Sequence, residues 1–266
     1  MPHAPVSATE LWCLGVGDGR PCPGRGRSGY LYSIGGQSVL IDCGEGICRA
    51  LSHAKVGGDE IGHVILSHMH SDHVGSFSLL IQDLWLSKRR RPLTVSAPAA
   101  AIPQLQDWLN HTLLVPDLLL FPIRWTPLLS GQAFRKRPLR IAAHPTRHLE
   151  VLAGLFSQSH RETCFEAFSF VLEGVSKRVA HTADIGHEDD LDPLLTEPLD
   201  LLVCELAHVD PQKIFAKLHG RQIAKIAFIH LTDEYWRDRA RLKQEARKSL
   251  GSIPFRFARD GERIGF

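Results

Sequence analysis

Residues 63–75 read His63-Val64-Ile65-Leu66-Ser67-His68-Met69-His70-Ser71-Asp72-His73-Val74-Gly75. A β-branched run ends at Ser67, and four metal-binding side chains, His68, His70, Asp72 and His73, follow before Gly75. Phe77, Leu80, Ile81 and Leu84 then fall at i, i+3, i+4 and i+7, one face of a helix. Four such polar groups are costly to desolvate in a core without partners, so they belong at a sheet rim, where a strand ends. His68 and His70 are two apart and can aim at one ion from an extended or tightly turned loop. Asp72 and His73 come after the turn and can face a second ion beside it. Imidazoles with a carboxylate suit zinc, with manganese or iron as alternatives.

A site with two ions needs further ligands, each at the end of another strand. Three candidates appear. The β-like run Leu139–Ala143 leads to His144-Pro145-Thr146-Arg147-His148, which leaves His144 and His148 both open. The run Lys177–Thr182 leads to Asp184, and Lys225–Ile229 leads to His230. Alone, Asp184 reads as a turn cap and His230 as a core histidine; their shared place after strands makes convergence the sharper reading. His208 follows the run Asp200–Glu205, and His181 reads as a surface residue.

Working outward, 11 short β-like runs alternate with amphipathic helices through both halves of the chain. Gly35-Gly36 is a hairpin turn between Tyr30–Ile34 and Ser38–Asp42. Asp210-Pro211 reads as an N-cap followed by a first-turn proline, and Gly251 ends the charged helix Ala240–Leu250. The pattern predicts two packed sheets with helices outside, in a single domain over residues 1–266. Of the 266 residues 44% are hydrophobic, and 31 Lys+Arg against 29 Asp+Glu give a net charge of +2. No global basic field points to nucleic acid, although Lys88-Arg89-Arg90-Arg91 is either a helix-dipole partner or a local phosphate patch. No apolar run approaches the roughly 18 residues of a membrane span. The start MPHAPVSATE lacks a secretory layout, and six scattered Cys without a CxxC pair read as reduced thiols, so a cytoplasmic protein is expected.

His68-Met69-His70-Ser71-Asp72-His73, with Leu40-Ile41-Asp42-Cys43-Gly44-Glu45-Gly46 before it, resembles the signature of the metallo-β-lactamase fold superfamily, and most resembles ribonuclease Z and its relatives. Cys13-Leu14-Gly15-Val16-Gly17 is similar to the family's opening strand and turn. Pro145-Thr146-Arg147-His148, Ala183-Asp184 and His230-Leu231-Thr232 are similar to its later ligand segments. The resemblance implies an α+β fold, an αββα sandwich of two mixed sheets with the metals at one edge. It implies His68, His70 and His148 on one divalent ion, and Asp72, His73 and His230 on the other. Asp184 bridges the two, and Asp42 supports a ligand histidine from behind. It further implies a homodimer as an expectation.

The chain also departs from the ribonuclease Z pattern. Ile185 replaces a threonine, Cys204-Glu205-Leu206-Ala207-His208 replaces a His-Glu-Ala-Thr segment, and Asp233-Glu234-Tyr235-Trp236 follow the last ligand segment. The stretch between His148 and Asp184 is too short for the long arm that grips tRNA in relatives.

The expected function is a dinuclear hydrolase acting on a phosphodiester, with RNA among its substrates. Two ions about 3.5–4 Å apart hold a water and lower its pKa toward about 7, and the resulting metal-bound hydroxide attacks. Asp72 orients this nucleophile and takes its proton, His208 protonates the leaving group, and Arg147 contacts the substrate. The alternatives are a hydrolase of a thioester, lactone or lactam, or a non-catalytic carrier for cofactor biosynthesis.

Overall fold

The structure, a computed structural model, describes residues 9–136 and 138–266. Its first sheet is built from β1 (Glu10–Gly15), β2 (Gly29–Ile34), β3 (Gln37–Ile41), β4 (His63–Ile65), β5 (Leu93–Pro98) and β6 (Ile123–Leu128), closed at its other edge by β14 (Glu262–Gly265). The second holds β7 (Ala133–Lys136), β8 (Leu139–Pro145), β9 (Phe168–Glu173), β10 (Arg178–His181), β11 (Leu201–Glu205), β12 (Ile226–Ile229) and β13 (Phe255–Phe257). Among the described residues each sheet has seven strands, in the orders β14-β1-β2-β3-β4-β5-β6 and β13-β12-β11-β10-β9-β8-β7. Both are mixed: β3 to β6 run parallel, as do β10 to β13, and the remaining pairs are antiparallel.

Period-two alternation explains the layers. In β3, Val39 and Ile41 enter the core between the sheets, while Leu40 faces outward. That outer face is covered by α1 (Ile47–His53), α3 (Phe77–Leu86) and α4 (Ala101–His111), through Ile47, Phe77, Leu80, Ile81 and Leu105. In β11, Leu201 and Val203 point inward, and Leu202 and Cys204 face α6 (Pro211–Leu218) and α8 (Arg239–Leu250). The result is helix, sheet, sheet, helix, as the resemblance implied.

Several local expectations are met. Gly35 and Gly36 both take left-handed φ, 57° and 72°, as a type I′ hairpin between β2 and β3 demands. The Asp210 side chain accepts the Gln212 N–H and Pro211 starts α6. Three strands lie outside the 11 β-like runs: β6 contains Pro127 and is an edge strand, β7 is four residues long, and β14 joins β1 from the far end of the chain.

His181 is a correction. It is fully buried, because it shares the inward face of β10 with Val179. Its Nδ1 lies 2.8 Å from the Tyr32 hydroxyl, and the Tyr30 ring is 4.7 Å away. Burial, then the charge of His73, push its pKa down to about 3 against the opposing pull of Asp184. A histidine held neutral in the fold but free to protonate when unfolded removes stability as pH falls below its ordinary value of about 6.5. The loss continues down to about pH 3, at up to about 1.4 kcal/mol per pH unit. Urea unfolding at pH 7.5 and 4.5 is therefore expected to show a larger acid-dependent loss in the wild type than in His181→Phe. Equal losses in the two proteins would contradict this assignment.

Candidate metal centre

Strands that run parallel end together, and here their ends carry the polar residues of both sheets. β3 ends in Asp42, β4 in Ser67 and His68, and the short helix α2 (Ser71–Val74) carries Asp72 and His73. From the second sheet, β8 leads to His148 ahead of α5 (Glu150–Phe156), β10 to Asp184, β11 to Glu205 and His208, and β12 to His230. Asp42, Ala183 and His230 have φ of 62°, 46° and 52°, a left-handed conformation that costs a non-glycine residue about 1–3 kcal/mol. Each lies where the chain turns sharply off a strand into the cluster. Gly44 serves the same tight packing: a Cβ there would run into the Asp72 carbonyl and the Arg27 side chain.

The geometry centres on Asp184. Its Oδ2 lies 3.2 Å from Nε2 of His73, 3.6 Å from Nε2 of His148 and of His230, and 3.7 Å from Nε2 of His68 and Nδ1 of His208. Asp72 Oδ2 is 3.4 Å from His73 Nε2 and 3.8 Å from His230 Nε2, and His70 Nδ1 is 3.1 Å from His148 Nε2. The possible ligand atoms fall into one set from His68, His70, His148 and Asp184 and another from Asp72, His73 and His230, each within 4.8 Å. Asp184, His208 and His230 form a third such set.

This donor set fits divalent metal ions. His68 Nε2 and Asp184 Oδ1 are buried with no hydrogen-bond partner among the described residues. A buried imidazole nitrogen and carboxylate oxygen left in that state are expensive, and a cation between them removes the penalty.

Neighbours set the tautomers. Asp42 accepts the Ser67 N–H at 2.8 Å, the Ser67 hydroxyl at 2.9 Å and His73 Nδ1 at 2.7 Å. A carboxylate only accepts, so His73 keeps a proton on Nδ1 and turns Nε2 to the cluster, the nitrogen that would give its lone pair to a cation bound there. Ser28 Oγ stands 3.1 Å from His230 Nδ1 and holds that ring with its Nε2 turned toward Asp184. Glu205, also buried, accepts the N–H groups of Ile185, Ala207 and His208 and sits 3.1 Å from His208 Nδ1.

The charges follow from this packing. Burial, then the charge on His73, push His68 well below its ordinary pKa, and burial with His208 and His70 pushes His148 down to about 4. Burial alone would raise Asp184, but His230 and His73 outweigh it and hold the carboxyl ionised. Burial would lower His73, yet Asp184 and Asp42 outweigh it. His208 is pulled the same way: the Glu205 carboxylate overcomes burial and raises it to about 9.

The structure thus brings together all seven side chains singled out as metal ligands, with His208 beside them and Asp42 behind His73. His144 stays on β8, half-buried, away from these ligand sets. Arg147 is half-exposed, and its contacts run to Asp190, with Nε 3.6 Å from the carboxylate. The basic run gave a third outcome: Arg89 is buried and donates to the carbonyls of Gly58, Arg91 and Pro92. Sequence reasoning missed the supporting roles of Ser28, Ser67 and Glu205. Only Glu205 carried a signal, three residues before His208 on a strand end.

A sequence model described as the beta-lactamase superfamily domain matches residues 37–236. The chain belongs to that superfamily. Among the curated proteins it matches are ribonucleases Z. That of Pyrococcus horikoshii is 34% identical over 116 residues, 43% of this chain and 38% of the relative. That of Metallosphaera sedula is 27% identical over 195 residues, 73% of this chain and 64% of the relative. Across such relatives the match spans between 28% and 64% of their length. The fold is similar to that of the metallo-beta-lactamase fold protein YhfI from Bacillus subtilis, with a TM-score of 0.77 at 22% identity over 97% of this chain and 99% of that one. It is also similar to short-form human tRNase Z, TM-score 0.67 at 19% identity over 96% and 98%. Zinc-bound PqqB from Methylobacterium extorquens has a TM-score of 0.70 at 14% identity, over 97% and 100%.

Asp42→Ala removes the acceptor that orients His73. It is expected to weaken metal affinity about 10–100-fold, as loss of such a supporting partner does. Competition against a chromophoric zinc chelator reads this directly, and an unchanged affinity would show that Asp42 does not tune the site.

Proposed function

We propose that this chain is a dinuclear metal-dependent phosphodiesterase of the ribonuclease Z type, working in the cytoplasm on RNA or a smaller phosphodiester. The observation that carries this reading is the buried Asp184 carboxylate, whose Oδ2 has five imidazole nitrogens within 3.7 Å, among them His68 and His148 of one proposed ion and His73 and His230 of the other. His68, His70 and His148 would hold one ion, Asp72, His73 and His230 the other, with Asp184 shared. Zinc suits these donors, with manganese or iron as alternatives. When bound, such ions lower the pKa of water and stabilise charge on the attacked phosphoryl group.

The chain's own residues divide the remaining work. Asp72 lies at the edge of the cluster, 11% exposed, and orients the attacking water and accepts its proton. His208 keeps a proton through its Glu205 partner and is 34% exposed, so it can hand that proton to the leaving oxygen. Glu205 acts through His208 and fixes its ring. Arg147, next in sequence to His148, meets the anionic substrate from the rim. The likeness to ribonucleases Z and to a tRNase Z supports this choice of substrate. Six free cysteines fit a reducing compartment.

A panel of bis-p-nitrophenyl phosphate, a thioester and a lactone, each with zinc or manganese, tests the reading. Turnover of the phosphodiester is expected. Hydrolysis of only the thioester or lactone would replace this substrate class, and two bound ions with no turnover of any ester would favour a carrier. His68→Ala is expected to remove one ion per chain by metal analysis and to abolish activity. Full activity in that variant would refute the assignment.

His208→Asn, in turn, keeps a side chain of similar size but cannot carry the proton. It is expected to slow esters with a poorly acidic alcohol leaving group far more than p-nitrophenyl esters, whose leaving group departs unprotonated. Equal slowing of both would remove His208 as the general acid.

A further inference from the structure

The loop between β1 and β2 is held from within by Arg27, whose buried guanidinium donates to the carbonyls of Asp18, Arg20 and Arg25. Its first residue, Val16, faces two ways: its carbonyl accepts the His230 N–H at 2.9 Å, and it lines a separate cavity of about 530 Å³. That cavity is walled by Arg25, Trp236, Arg239 and Arg259, with Asp233 and Asp260. Both carboxylates are already engaged. Asp260 accepts the N–H groups of Val16 and Gly26, and Asp233 is bonded to Arg25.

The guanidiniums are less fully used. The Arg25 side chain is 10% exposed, spends Nη2 on Asp233 and Nε on Cys22 Sγ, and has no partner for its buried Nη1 among the described residues. Arg259 is exposed and has no ion pair among the described residues. The Trp236 ring lies 5.0 Å from the Arg25 guanidinium carbon and 5.5 Å from that of Arg239, within cation–π reach of both cavity-lining arginines. Guanidiniums in this state bind oxyanions in a forked, charge-assisted way. Burying an unsatisfied Arg nitrogen is otherwise a loss with no return.

We propose that this cavity is a subsite for a phosphate group, carried by the substrate at a position away from the bond that is cut. The substrate part rests on the phosphodiesterase reading above; the anion site itself does not. Val16 lines the cavity and its backbone is bonded to that of His230, so a substrate with its scissile phosphate at the cluster would extend past the β1–β2 loop to reach Arg25, Arg239 and Arg259. A nucleic acid strand or a small molecule with more than one phosphate has that form, whereas a simple monoanionic ester does not.

The test is a titration of the intact, metal-loaded protein with inorganic phosphate at constant ionic strength, followed by tryptophan fluorescence. The wild type is expected to give a saturable response that disappears in Trp236→Phe. In the Arg239→Gln/Arg259→Gln double variant the midpoint is expected to rise about tenfold or more, the scale of a lost charge-assisted hydrogen bond. Circular dichroism confirms that each variant is folded, and both sets of changes lie on exposed or half-buried positions. A response that survives in Trp236→Phe places the anion elsewhere, and a midpoint unmoved in the double variant removes the arginines; either overturns the proposal. No hydrolysis is measured, so the outcome stands whether or not phosphodiesters prove to be substrates.

Discussion

A carboxylate buried to 2% exposure beside five imidazole nitrogens is the constraint on which the rest of this molecule depends. Taking Asp184 out of water costs several kcal/mol unless positive charge surrounds it. Protonated imidazoles supply part of that charge, which is why His73 is raised and Asp184 lowered together. Yet the imidazoles cannot all protonate beside one another, and burial drives His68 and His148 the other way. Neutral imidazoles around an ionised carboxylate are the protonation states that metal ligands require. The electrostatics therefore leave a place for cations that protons alone fill poorly.

Holding such a cluster together requires rigid supports, and the fold supplies them at strand ends. The two parallel halves of the sheets deliver Asp42, Ser67 and His68 from one side and Asp184, Glu205, His208 and His230 from the other. The turns at Asp42, Ala183 and His230 store backbone strain. Hydrogen bonds recover it: Asp42 alone satisfies three donors, two of them from Ser67. The cores on both sides keep the strands fixed while these costs are met.

What the sequence makes legible follows from these physics. The stretch His68 to His73 is dense enough in ligands to betray a metal site by itself. Strand runs before Asp184 and His230 are clear because Val, Ile and Leu dominate them, and so their ends are locatable. Choosing His148 over His144 needed the family resemblance, since the spacing alone leaves both open; the fold decides it by keeping His144 on β8 and carrying the chain beyond Pro145. Ser28 acts through its hydroxyl and Ser67 through its hydroxyl and backbone N–H, roles with no periodicity or spacing to mark them. His181 looked like a surface residue because a lone histidine usually is. Only the packing of β10 in one sheet against the Tyr30 and Tyr32 face of β2 in the other reveals a buried place for it. Strands β6, β7 and β14 lie at or near sheet edges, where proline and short length weaken the alternating signal.

The surroundings of the cluster differ from one side to the other, and this difference bears on what reaches it. Past His148, α5 buries none of its residues and exposes Val151 at 73%, Leu155 at 66% and Phe156 at 43%. Past His230 lie the guanidiniums of Arg25 and Arg239 against Trp236. The ligands at the two ends of the site are thus flanked by an apolar helix and a cationic cavity. On the phosphodiesterase reading proposed above, such polarity would give a diester one direction across the cluster, and would decide which of its two ester oxygens faces His208.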